Sequence, residues 1–599
     1  MSGLDTNRAL RRTSGRRAVL RAGALGAAGL AGAALLGCGG DDEAPAASAP
    51  AGGAGQLVST TAKRPDTLPA GWYWAEGNPF PYQYGEPAGK QPKRGGTFVD
   101  GVTWDVGPLD PIKSSAGGSI TIPNYVYNRL IGYAAGPGVD PFALKLEAEL
   151  AKTWEQTPDG LTYTFKLSPG VKWQNLPPLN GRDFVAADVK FAFERYRKEG
   201  LYQSYWKNVA SIDAVDPATL KITLSKPAVD FLIPLGSRYQ TIFPHELVDA
   251  GTIDKAVIGT GPMILKEAVA GAQVKLERNP TYFEREVLLD GVECRIIPDP
   301  AARLAAFRVG QVDHPLSSFE NLKAIRAVIE SNPTIQVNML APTSSSGAVP
   351  LLNLQNAKWQ DVRVRRALSL AINRKLINET LFEGLGYSYP TIPWPFVLDT
   401  APTIENGAMG KWVRYAPDEA KQLLQAAGAT SLSVDAPYYE YGASFSQRAD
   451  LLVDHLRQVG ITYRAQKMDY TEYNSQLQTG KFPDALSWGY LPLGHEADTY
   501  FYNQIHSKSP GNRDHVNDAE IDGWSEAQQV ELNPKTRREL HKKIWDKSLD
   551  QAYRPVSTNA TSFEAFQPWV RGLRSGHAYG SGSSFYDFGN QIAGVWIDK

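Results

Sequence analysis

Cysteine is almost absent: Cys38 and Cys294 are the only two in 599 residues, so no disulfide framework supports the fold. Charge of one sign is not in excess either. Lys and Arg number 62 against 63 Asp and Glu, a net of −1, which excludes the basic footprint of a nucleic-acid binder. Long apolar runs are missing: the uncharged stretch at residues 22–37 has 16 residues, short of the ~20 that a spanning helix needs. The chain carries no G-x-S-x-G elbow, H-E-x-x-H helix, Walker loop or zinc-spaced cysteine pair. Gly259-Thr260-Gly261-Pro262 lacks the third glycine of a dinucleotide turn and reads as a turn between strands. No repeat of fixed period occurs, which argues against a solenoid or propeller. What remains is an ordinary globular balance, 42% hydrophobic and 21% charged, in a chain long enough for two or three domains. Its 14 Trp and 27 Tyr are the residue types that line ligand clefts.

The N-terminus reads as an address. Arg16-Arg17-Ala18-Val19-Leu20-Arg21 is a twin-arginine pattern, with Arg8, Arg11 and Arg12 upstream. The mild apolar run then ends in Leu35-Leu36-Gly37-Cys38, which resembles a lipobox with Cys38 as the lipidated residue. Residues 1–37 hold six arginines and one aspartate, so a chain beginning at Cys38 has 56 basic and 62 acidic groups, a net of −6. Cys294 is then expected to be a small buried hydrophobe. Residues 38–94 read as a flexible Ala/Pro/Gly/Ser tether followed by an irregular arm rich in proline and aromatics.

Strand and helix patterns alternate through the body, which favours mixed α/β domains. Leu161, Tyr163, Phe165 and Leu167 alternate with polar residues, as do Leu220, Ile222 and Leu224. Val189, Ala192, Phe193 and Tyr196 define one helix face, and Val364, Ala367, Leu368 and Ala371 another. Pro417 and Asn533-Pro534 open helices, while Gly428 and Gly460 close them. One loose histidine and acid group, His495, Glu496, Asp498, His506, Asp514 and His515, has ligand types that suit a transition metal. A solvated loop accounts for it equally well, so no metal site and no cofactor are assigned.

The ordered blocks resemble the solute-binding proteins of peptide-type ABC importers, family 5, the oligopeptide- and dipeptide-binding group. They run from Gly95-Gly96-Thr97-Phe98 and Leu109-Asp110-Pro111 through Glu149-Leu150-Ala151-Lys152-Thr153-Trp154, Asp159-Gly160, Gly170-Val171-Lys172-Trp173 and Ala187-Asp188-Val189. Gly259-Thr260-Gly261-Pro262, Arg278-Asn279-Pro280, Gly310-Gln311-Val312-Asp313 and Asp361-Val362-Arg363 with Ala371-Ile372-Asn373-Arg374 follow in order.

The resemblance implies a two-lobe α/β fold of the periplasmic-binding-protein type, with an extra subdomain and a ligand cleft between the lobes. Lobe I is expected at 95–124, 229–337 and 556–599, an inserted subdomain at 125–228, and lobe II at 338–555. It implies capture of a small solute, an oligopeptide or similar, by hinge closure, without catalysis. The expected partners are an ABC permease and its ATPase, with a monomer anchored by lipid at the outer face of the membrane or in the periplasm.

Peptide-binding relatives carry Trp-x-x-Asp, whose aspartate holds the peptide ammonium. Here Trp488 is followed by Leu491, with Glu496 and Asp498 as distant substitutes. An oligosaccharide, an opine-like conjugate or a metal chelate is therefore the rival ligand, and a secreted hydrolase the rival class. By position in the family, Trp488, Gly489 and Tyr490 form a ligand-facing strand. Trp104, Tyr438, Tyr439, Tyr441 and Trp394 are further aromatic candidates, each against the plain alternative of core packing.

Overall fold

The computed structural model describes residues 91–113, 117–133, 145–315, 327–328, 330–332, 334–339, 343–345, 349–384, 386–440, 443–489, 491, 494–561, 563–572 and 589–599. The export segment, Cys38 and the tether and arm up to residue 90 lie outside these, as do Tyr441 and Tyr490.

Period-two patterning builds two sheets in the first half of the chain. Thr162–Leu167 buries Tyr163, Phe165 and Leu167 and pairs antiparallel with Ala151–Gln156 and Thr219–Leu224; Val209–Asp216 completes four strands. The helix Ala186–Glu199 covers this sheet with Val189, Ala192, Phe193 and Tyr196 buried, as its spacing predicts. In the other sheet Thr97–Val102 lies parallel to Gly291–Ile296 and to His314–Pro315, while Gln273–Arg278 and Met263–Val269 continue antiparallel. One apolar core joins both sheets, from Phe98 through Phe165 to Val292 and Ile597. Cys294 is buried within it, where burial pushes the thiol well above its ordinary pKa, consistent with an inert small hydrophobe.

A second core takes its residues from between Leu352 and Val556 and is mainly helical. Val362–Ala371, Pro417–Ala426, Ala443–Arg457 and Pro534–Asp550 contribute its main stripes. Asn533 caps the last of these, accepting from the amides of Lys535 and Thr536, with Pro534 in the first turn. Gly460 takes the left-handed conformation (φ 88°) just beyond the third.

The chain crosses from the first core to the second through Gln336–Met339 and returns through Phe563–Phe566, and these two strands pair antiparallel. Val556 packs with the second core, seven residues before the return strand begins. Between them, Asn559 is tied to Tyr387 by backbone hydrogen bonds in both directions.

The sequence blocks prove to be sites of buried polar satisfaction. Glu149 accepts from the Arg129 amide (2.9 Å) and Nε (3.0 Å) and from Asn128 Nδ2 (2.8 Å), with both charged side chains buried. Trp173 Nε1 donates to Asp188, which also accepts from the Val185 amide at the helix start and from Arg182. Gly259 is required by close approach, since a Cβ there would sit 1.9 Å from the Val126 carbonyl oxygen. Arg374 is 1% exposed and donates to the carbonyls of Ser369, Ile372, Val413 and Val556.

Removing one partner of a buried pair leaves the other charge uncompensated. Glu149→Ala is therefore expected to lower unfolding free energy by about 3–5 kcal/mol in urea titrations. Arg374→Met, which keeps the bulk of the side chain but strips the donors from four carbonyls, should cost at least about 3 kcal/mol. A loss below about 1 kcal/mol in either variant would show that water replaces the lost partner.

Candidate functional site

Trp488 stands near the end of the wholly buried strand Ala485–Gly489, which pairs antiparallel with Val349–Leu352. Its indole meets Phe445 edge-on at 6.3 Å, and the Arg448 guanidinium lies 4.3 Å above the ring. Arg448 donates to the Thr558 carbonyl (3.2 Å) and to Asn559 Oδ1 (2.8 Å). This wall therefore reaches the segment that leads, four residues later, into the crossing strand Phe563–Phe566.

Two buried donors in the wall, Trp488 Nε1 and Asn559 Nδ2, have no hydrogen-bond partner among the described residues. A buried donor left unmade costs about 1–3 kcal/mol, and a solute that brings an acceptor recovers that. Trp104 repeats the pattern on the first core. It follows the strand Thr97–Val102, packs over Gly117 and Gly118, and has a buried Nε1 with no hydrogen-bond partner among the described residues. Of the sequence candidates, these two tryptophans have the chemistry of ligand contacts. Asn559, which no local sequence motif marks, adds a third unmatched donor; it is held in place by its neighbours Tyr387 and Arg448.

The other candidates are placed differently. Gly489 serves packing, since a Cβ would meet the Leu351 side chain at 2.2 Å. Tyr438 and Trp394 belong to the second core, and the Tyr438 hydroxyl donates to Ser446. Tyr439 stacks obliquely on Tyr470 at 4.9 Å beside a smaller cluster. Leu491 is 2% exposed in that cluster, among Tyr473, Leu477 and Leu486. The position expected to meet an ammonium is thus filled by an aliphatic side chain packed into a core.

The histidine and acid group is not a solvated loop. His495, Glu496, His506 and Asp514 are all buried. Three of the group are engaged locally: Asp514 pairs with Arg554 (2.7 Å), His506 Nε2 stands 3.2 Å from Glu526, and His515 meets the Gly480 carbonyl. Among the described residues, no three His, Cys, Asp or Glu side chains converge as a metal would require.

Burial drives the titration of this segment, lowering His495 to about 3 and leaving it neutral. It pushes Glu496 up to about 7, with the charges of Asp230 and Asp498 adding to the effect. Asp498 is also raised by burial; its carboxylate accepts from Gln528 and Gln529, and its amide donates to Asp230.

The model of the bacterial extracellular solute-binding proteins, family 5 Middle, matches residues 145–512. Heme-binding protein A of Haemophilus influenzae is 26% identical over 478 residues, covering 75% of this chain and 84% of that protein. The dipeptide-binding protein of Escherichia coli is 23% identical over 521 residues, covering 82% and 90%. The solved structure of HbpA2 from Haemophilus parasuis superposes with a TM-score of 0.70 at 22% identity, over 84% of this chain and 100% of that one. A two-lobe fold of mixed α/β content is the architecture that the solved structure shares with this chain. More than half of the sequence falls within the family model, and the chain is a member of the bacterial extracellular solute-binding proteins of family 5.

Proposed function

We propose that this chain is an exported receptor, lipid-anchored through Cys38, that captures a small solute between its lobes and delivers it to an ABC permease and its ATPase. The observation that carries the reading is the match to the family 5 model over residues 145–512. The twin-arginine pattern and the lipobox support export and anchoring. Lobe I comprises residues 95–124, 229–337 and the C-terminal stretch from the return strand onward. The inserted subdomain is 125–228, and lobe II lies between the crossings. The solute sits against Trp488 and Asn559 of lobe II and Trp104 of lobe I, all three with donors to give. Binding is population shift: a solute that contacts both lobes only when they are closed favours the closed state, and no bond in it breaks.

Leu491 argues against a free peptide held by an ammonium at that position, because an apolar cluster offers it no counter-charge. Acceptor-rich solutes, such as an oligosaccharide or an opine-like conjugate, suit the three unmatched donors better.

Purified from its own cells, the protein should release a small solute whose mass matches the intact compound after denaturation. Added back at 100 times its dissociation constant, that solute should stabilise the fold by about 2.7 kcal/mol. A solute that re-emerges cleaved would overturn the receptor reading. Cys38→Ser should shift the chain from the membrane fraction to the soluble one; unchanged partition would overturn the anchor.

A further inference from the structure

A cavity of about 510 Å³, separate from one of about 540 Å³ between residues 202–234 and 496–537, is lined only by residues from between the two crossing strands. Strand register gives its position. Val349 pairs with Gly489, beside Trp488, while Leu352 pairs with Ala485 at the other end of the ladder. Leu354, two residues further on, lines the cavity, which therefore lies at the end of the ladder away from the Trp488 wall.

The volume is that of a small-molecule pocket. Four carboxamides line it, those of Gln355, Gln360, Asn517 and Gln551, and Gln355 and Asn517 are exposed. No carboxylate lines it among the described residues. Its one permanently charged group is Arg365, on the helix Val362–Ala371 and 5% exposed.

Buried arginines elsewhere in the fold meet a carboxylate: Arg129 meets Glu149, and Arg554 meets Asp514. Arg365 meets carbonyls instead. Its Nε donates to the Gln551 carbonyl (2.9 Å), and its Nη1 to those of Trp359 and Gln360. Nη2 has only Gln551 Oε1, at 3.4 Å, and keeps a second hydrogen without an acceptor among the described residues. Asp361, at the start of the same helix, is gripped by Arg363. The guanidinium lies 5.1 Å from the centre of the Tyr553 ring, and burial opposes its charge.

The facing wall is held rigidly. Asn512 clamps Val516 in both directions, accepting from its amide (2.9 Å) and donating to its carbonyl (2.8 Å). His515 stands in the left-handed region (φ 61°), with Nε2 2.9 Å from the Gly480 carbonyl. A side chain persists in that conformation only where its surroundings hold it there.

A buried cation lacking a counter-ion, in a preformed pocket lined by carboxamides, is the environment that selects an anion bearing hydroxyl groups. We infer that this cavity is a second binding site, for a hydroxylated organic anion whose carboxylate or phosphate meets Arg365 and whose hydroxyls meet the carboxamides. Every lining residue lies on one side of the crossing, so occupancy does not depend on closure. The assignment rests on this cavity alone and not on the receptor reading.

Calorimetry on the full-length chain in detergent tests the site with glucuronate and glucose 6-phosphate, against neutral glucose and against acetate, which lacks hydroxyls. At least one of the two hydroxylated anions should bind about tenfold more tightly than either control. Binding of both assigns the site to charge, and binding of one alone assigns it to carboxylate or to phosphate. Gln551→Glu puts a carboxylate where Oε1 already approaches Arg365 and keeps the arginine's bonds to carbonyls. It supplies the missing counter-ion and should weaken anion binding about tenfold. Arg365→Met should do the same, and if that variant does not fold, Gln551→Glu still decides. No binding of either anion, equal binding of glucose or acetate, or unchanged affinity in Gln551→Glu would each overturn the site. Gln551→Glu should still release the native solute intact, so failure here leaves the receptor reading standing.

Discussion

Two short paired strands, Gln336–Met339 and Phe563–Phe566, are where the chain passes between its two apolar cores. Each core excludes water over many side chains and resists deformation as a close-packed solid does. A four-residue ladder is held mainly by backbone hydrogen bonds, and rotation of a few dihedrals at its ends reorients one core against the other at little cost. Stiff bodies on a thin connection are what a receptor needs, because closure then changes the gap between the lobes and leaves their interiors intact.

Contacts beside the cavity between residues 202–234 and 496–537 limit that motion from the other direction. Asp230 is bound by Arg537 and by the Asp498 amide, and the Val229 amide donates to the Gln529 carbonyl. These links are polar and lie at the edge of the cavity. Water substitutes for such bonds when they part, so each contributes only about 1 kcal/mol net, or somewhat more for the charged pair. An apolar seam of similar area would hold the lobes shut in the absence of solute; this one lets solute decide.

Much of the fold was legible in the sequence because it is written locally. The alternation in Thr162–Leu167, the stripe in Ala186–Glu199 and the Asn533-Pro534 cap each lie within a few residues of one another. The family blocks were legible for a different reason: they encode buried polar pairs such as Trp173 with Asp188, where few substitutions keep both partners satisfied. The site was far less legible. Leu491 gave no sign of joining a core built by Tyr473 and Leu477, and Glu496 read as a solvated loop acid. Its burial depends on a wall 268 residues away in sequence, measured from Asp498 to Asp230. No window of periodicity spans that distance.

The same contrast separates scaffold from site energetically. Glu149, Asp188 and Arg374 are surrounded by partners, and their bonds are complete without any guest. Among the described residues, Trp104 Nε1, Trp488 Nε1 and Asn559 Nδ2 are buried donors left unmade, and the Glu496 carboxyl is pushed up to about 7 by burial and by its acidic neighbours. Each of these groups raises the free energy of the empty molecule, and each is lowered by a guest of complementary chemistry. A guest that supplied the missing partners would recover that stability as binding free energy.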